Sequence, residues 1–194
     1  MFKFLKLQKN RGMTYVELIV VISIVALLST VSLFNYSDFQ EKVNMKNLAN
    51  DIASRVVEAQ KNAIGGRTAT GAILGWRPSY GIYFDISEPT SFVNFTDLNQ
   101  DKRYNLGSES PGPIQITKGN YIVRIEYFDG VFFNPVDSPL HITFTRPDSG
   151  ATFYIGSNVT PLTNLKYMQI ELSNKTDDTF SLIKIFPSGR VQIN

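Results

Sequence analysis

Chemistry in a protein requires groups that converge, and the candidates in this 194-residue chain are few. The stretch DLNQDKR, residues 97–103, sets Asp97, Asn99 and Asp101 at alternate positions. A turn of that pattern can aim three oxygen ligands at one hard cation such as calcium. Arg103 stands where an EF-hand needs its glycine-led continuation, and the same three residues also read as a solvated Asp/Asn turn, so both readings stay open. The one histidine, His141, sits in the alternating run LHITFT as a packed or surface residue of a strand; with no cysteine in the chain, it has no partners for a zinc-type set. There is no G-x-S-x-G elbow, PSGR at 187–190 reads as a hairpin turn, and the acids are scattered without a convergent pair. GGRTATGAILG, residues 65–75, follows a helical stretch and lacks the Gly-Lys-Ser/Thr ending of a phosphate loop, so it reads as a connector. These features point away from an enzyme. The carboxylate in the unusual setting is Glu17, which heads an otherwise uncharged apolar run.

The element that positions Glu17 comes first in the chain. Residues 18–34 carry no charge, and a helix of that length spans roughly 26 Å, close to the hydrocarbon thickness of a bilayer. Lys3, Lys6, Lys9 and Arg11 precede it, which by the positive-inside rule keeps the N-terminus cytoplasmic and exports the rest of the chain. The net charge of +2 less those four positive charges leaves −2 on the remainder, so the basic character belongs to a short leader. A cleaved secretory signal would end in small residues at an A-x-A-like site; TVS at 30–32 matches that poorly, and the segment is expected to stay on the chain.

RGMTYVELIVVISIVALL, residues 11–28, resembles the class III signal of type IV pilins and type II secretion pseudopilins. The resemblance implies cleavage by a prepilin peptidase between Gly12 and Met13, N-methylation of Met13, and retention of the apolar segment. It also implies that Glu17, five residues after Gly12, pairs with the α-ammonium of Met13 on its own or a neighbouring chain during assembly. Paired charges beside lipid cost far less than lone ones. Ala26 and Phe34 stand where many pilins have glycine and proline, which favours a minor subunit over a major pilin.

Beyond residue 34 the pattern becomes striped. Phe39, Val43, Leu48, Ile52, Val56, Ala59 and Ala63 recur at helical spacing, and Gly65–Gly66 ends the helix. From there the period is two: GIYFDI, YIVRIEYF, LHITFT, ATFYIG, YMQIEL, SLIKIF and RVQI are short β-branched and aromatic runs between Gly, Pro, Asn and Asp clusters. In YIVRIEYF, Tyr121, Val123, Ile125 and Tyr127 are expected on one face with Arg124 and Glu126 on the other. The last sixty or so residues are similar to the β domain of H-type pseudopilins and related minor pilins. A composition of 43% hydrophobic, 12% aromatic and 19% charged residues fits a folded chain rather than a disordered one.

The expected fold class is therefore α+β: a basic leader over 1–12, a long N-terminal helix over 13–64 that is transmembrane over about 13–34 and amphipathic after it, and an exported antiparallel β domain over 65–194 packed on that helix. The resemblance implies a filament subunit of a pilus or secretion pseudopilus in the bacterial cytoplasmic membrane, with prepilin peptidase, other pilin-like subunits and an inner-membrane assembly platform as partners. The alternative is a membrane-anchored binding module that never polymerises. No cofactor is expected beyond the calcium reading, and Lys184 and Arg190 are too few basic groups near the C-terminus for a nucleic-acid partner.

Overall fold

The computed structural model describes residues 12–69, 75–158 and 160–194, apart from the side chains of 31–35, 37 and 38. The leader up to Arg11, the side chains of 31–34 at the end of the uncharged run, and residues 70–74 of the connector lie outside the described residues. The chain divides between Gln40 and Glu41 into two units. Helical residues belong to α1 (Tyr15–Ile64) and fall, by their described side chains, into two segments, 15–30 and 39–64.

This corrects the expected architecture of one long helix, half transmembrane and half amphipathic, on a β domain. Among the described residues no helix is long and apolar enough to cross a membrane. Among the described side chains the uncharged stretch covers residues 18–30, short of the 20 or so that a bilayer span needs. Beyond residue 34, Asn35, Tyr36, Asp38 and Gln40 are polar. Only the helical residues from Glu41 onward share a core with strands, and those strands build two sheets.

Within the second unit the buried helix positions are Met45, Ala49, Ile52, Val56, Ala59 and Ala63, a 4-3-4-3-4 seam. The expected stripe holds from Ile52 on but slips at its start: Phe39 is exposed and belongs to the first unit, while Met45 and Ala49 are buried. Long-range side-chain bonds help to hold the seam in place. Asn174 Nδ2 donates to Glu41 Oε2 at 2.6 Å, and Gln60 Nε2 donates to the Ser149 carbonyl at 2.7 Å. Gly66, at φ +60°, turns the chain out of the helix, a conformation that costs a residue with a Cβ.

The strands are β1 (Ser79–Phe84), β2 (Ser91–Asp97), β3 (Ile114–Gln115), β4 (Tyr121–Phe128), β5 (Phe133–Pro135), β6 (Leu140–Phe144), β7 (Ala151–Ile155), β8 (Tyr167–Ser173), β9 (Phe180–Ile185) and β10 (Val191–Ile193). They form two antiparallel sheets, β3-β2-β1-β6-β7 and β10-β9-β8-β4-β5. Ile82, Phe84, Ile142, Phe144 and Phe153 of the first sheet, and Ile122, Ile125, Met168, Ile170, Ile183 and Ile185 of the second, join the helix seam in one core. In β4 the expected face is broken by a bulge between Ile122 and Arg124. One extra residue flips the alternation, so Ile122 and Ile125 are buried where a regular strand would put Tyr121 and Val123 on the core side.

The first sheet is covered on its other face too. Val93, Tyr83, His141 and Tyr154 are cross-strand neighbours on β2, β1, β6 and β7. Beside them Phe95 lies over Gly81, where a Cβ would meet the Phe95 ring at 2.5 Å. A glycine is needed there for close approach rather than for its φ.

Candidate functional sites at the helix start and in the 97–109 loop

Thr14 is the N-cap of the first helical segment: its Oγ1 accepts the Glu17 N–H at 3.2 Å, and its carbonyl accepts the Leu18 N–H at 3.1 Å. Thr14-x-x-Glu17 is thus the spacing of a capping box, a signal that the sequence carries and that gives Glu17 a local role, an acid in the first turn facing the positive end of the helix dipole. Gly12 and Met13 precede the cap outside the helix and are exposed, with nothing within 4 Å of a Cβ built on Gly12. Glu17 is exposed as well.

The helical segment after Glu17 is apolar on every side. Leu18, Ile19, Val20, Val21, Ile22, Ile24, Val25 and Leu27 are all exposed, Leu27 at 70% and Ile22 at 59%. The hydroxyls among them are turned inward: Ser23, Ser29 and Thr30 each donate to the carbonyl four residues back, at 2.8 Å. That bonding leaves no unmet donor on the surface of the segment at those three positions, so it can enter an apolar environment at low cost. A helix apolar all round is stable only when something covers it.

The second candidate, Asp97, Asn99 and Asp101, is brought together at the end of β2, but each group is used by its own loop. Asp97 is fully buried; its two carboxylate oxygens accept the N–H groups of Gln100 at 2.7 Å and Lys102 at 3.2 Å. Those two residues hold positive φ, 71° and 61°, a cost that the carboxylate bonds offset. Asn99 Oδ1 accepts from the Asp101 N–H at 3.0 Å, and Asp101 accepts from the Arg103 N–H at 2.9 Å and Asn105 Nδ2 at 2.8 Å. Buried Glu109 completes the arrangement, taking the N–H groups of Leu98 and Asn105 at 3.0 and 2.7 Å. Burial raises the Asp97 pKa against the pull of its two N–H bonds, and the nearby charges of Glu109 and Asp101 add to the rise. Among the described residues no three His, Cys, Asp or Glu side chains are grouped as metal ligands. The arrangement acts as a carboxylate-pinned lid over the outer face of the first sheet.

His141 is the anchor of that lid. Its Nδ1 accepts the Tyr104 N–H at 3.0 Å, and further along the same strand Thr143 Oγ1 donates to the Lys102 carbonyl at 2.7 Å. The acceptor role fixes a neutral imidazole. Burial, reinforced by the Arg103 cation, pushes its pKa down to about 4, with Asp101 and Asp85 opposing. Tyr83, Tyr104 and His141 pack as tilted rings with Tyr83 5.0 Å from each of the others. They line a cleft of about 540 Å³ together with Asp85, Arg103 and Leu106. Spacing in LHITFT places His141 on a strand but carries no hint of this long-range bond.

Lys184 and Arg190, too few for a nucleic-acid contact, instead lie on aromatic rings. Lys184 Nζ is 5.0 Å from the centre of Tyr167, and Arg190 Cζ is 3.9 Å from that of Phe186.

The fold and these sites define an α+β chain whose second unit is a two-sheet antiparallel domain with a helix in its core. In comparisons with known proteins, no family model, no curated protein and no solved structure matches it. The likeness to pilin-type signals rests on residues 11–28 themselves.

Proposed function

We propose that this protein is a non-catalytic structural subunit of a pilus-like or secretion-pseudopilus filament, processed by a prepilin peptidase and assembled through its N-terminal helical segment. The observation that carries the reading is the surface of residues 18–30: uncharged, exposed, with its hydroxyls bonded inward. Lateral packing of such helices from many copies would cover it, and lipid of the bacterial cytoplasmic membrane would cover it before assembly. Gly12 and Met13 are the processing residues, and the new Met13 amine is the partner for Glu17 of the same or an adjacent copy. The assembly platform and sister subunits belong to the same proposal.

Peptide mass spectrometry of the N-terminus, on protein made with and without a prepilin peptidase, tests it. The expected product begins at N-methylated Met13 and appears only with the peptidase. A chain that retains residues 1–12 in both samples would sink the processing step and leave an anchored module that does not polymerise.

A further inference from the structure

The β4–β5 hairpin ends in DGVFF, and its three large apolar side chains stand in water one after another: Val131 is 72% exposed, Phe132 68% and Phe133 50%. Such a run on a folded surface is an error unless something binds it. The tip is braced from within. Asp129 Oδ1 accepts the N–H groups of Val131 at 2.7 Å and Phe132 at 2.8 Å, Asp129 N–H donates to the Phe132 carbonyl at 3.2 Å, and Asn134 Nδ2 bridges to Asp129 at 3.3 Å. These bonds fix the conformation in which Val131 and Phe132 are exposed.

Basic groups stand behind the tip. Phe133, Phe128, Tyr167 and Phe186 form a continuous row of rings at 4.9, 5.3 and 5.6 Å across β5, β4, β8 and the end of β9. Lys184 and Arg190 sit over the last two rings, and the Lys166 stem lies against Gly130, 3.3 Å from where a Cβ would stand. The acids at this end, Asp129 and Asp148, are each folded onto their own loop's N–H groups. We infer that the hairpin tip is a membrane-docking device: Val131 and Phe132 enter the interface of an anionic bilayer, while Lys166, Lys184 and Arg190 meet its acidic headgroups.

The test uses the full chain, which contains no native cysteine, with an environment-sensitive fluorophore on Phe132→Cys or, as a control, on Leu106→Cys, which is 91% exposed in the lid. Vesicles of phosphatidylcholine with and without phosphatidylglycerol are added, and nitroxide-labelled lipid reports depth. The expected result is a blue shift and nitroxide quenching at 132 only, with an immersed fraction on the order of tenfold larger when phosphatidylglycerol is present and lost in K166E/K184E/R190E. Because the readout is local to residue 132, binding through residues 16–27 neither mimics nor masks it, and it stands whether or not the chain polymerises. A probe at 132 that stays in water, immersion equal in both lipids, or a shift that follows protein concentration without vesicles would each overturn the inference, the last pointing to self-association.

Discussion

Two helical segments of one element have opposite relations to their surroundings. From 41 to 64 the chain alternates charge with a narrow seam, Met45 to Ala63, that the strands of its own unit bury completely. From 18 to 28 there is no seam, because apolar side chains occupy every direction and are exposed. A helical stripe finds its partner in the same chain, whereas an all-round apolar helix has more surface than one neighbour could cover and must be covered from several sides. The first arrangement contributes to folding, and under the proposed function the second serves association.

The comparison breaks most visibly in paired substitutions. Ile52→Ala removes buried methylenes from a site with no exposed surface and is expected to cost about 2–5 kcal/mol, read as a lower midpoint in denaturant unfolding of the second unit. Ile22→Ala should move that midpoint by less than about 0.5 kcal/mol, yet reduce the sedimenting, self-associated fraction in detergent-free buffer. Equal destabilisation by the two would mean that the first segment is part of the folding core.

A second, smaller effect concerns the lid. Free imidazole titrates near 6.5, and in the fold His141 is held down to about 4 by burial and Arg103. Between those values the unfolded chain binds the extra proton, so stability rises with pH there and is lost as the pH falls from about 6.5 to about 4, by at most about 3 kcal/mol. Asp97, raised by burial, acts in the opposite sense, its contribution growing as the pH falls through its own pKa. Subtracting the urea-unfolding profile of His141→Gln from that of the natural chain cancels Asp97 and should leave the histidine's drop alone. A flat difference would remove His141 from its role as anchor.

How much of this was legible depended on whether the physics was local. The seam from Ile52 on and strands such as LHITF and SLIKI follow from periodicity alone, since nothing interrupts their alternation. β4 did not, because a bulge is one residue of extra backbone and leaves no mark in composition. β3 has two residues and β5 ends in Pro135, too little pattern to detect. The spacing of the acids of 97–101 shows convergent oxygens, but the bonds that shape their loop come from Glu109, His141 and Thr143, which no local pattern links to it. The exposed DGVFF tip resembles the start of an ordinary strand until its exposure is known.

The smallest effect is the most discriminating, because Glu17 now has two explanations. If it serves only the helix start, it acts with Thr14 as one unit. Removing the cap in Thr14→Ala should then cost about 1 kcal/mol of local stability, and Glu17→Ala a similar or smaller amount through the lost acid at the positive end of the dipole. Amide exchange at Glu17 and Leu18, whose N–H groups bond to Thr14, reads that cost directly. An assembly role makes a different demand, a carboxylate at this position whatever the state of the cap. Under that reading Thr14→Ala frays the first turn but still yields sheared filaments, while Glu17→Ala keeps the fold and yields none; Glu17→Asp, which retains the charge on a shorter arm, recovers part of the yield. Parallel behaviour of Thr14→Ala and Glu17→Ala in both assays would assign the carboxylate to the helix and leave the apolar surface to direct assembly without it.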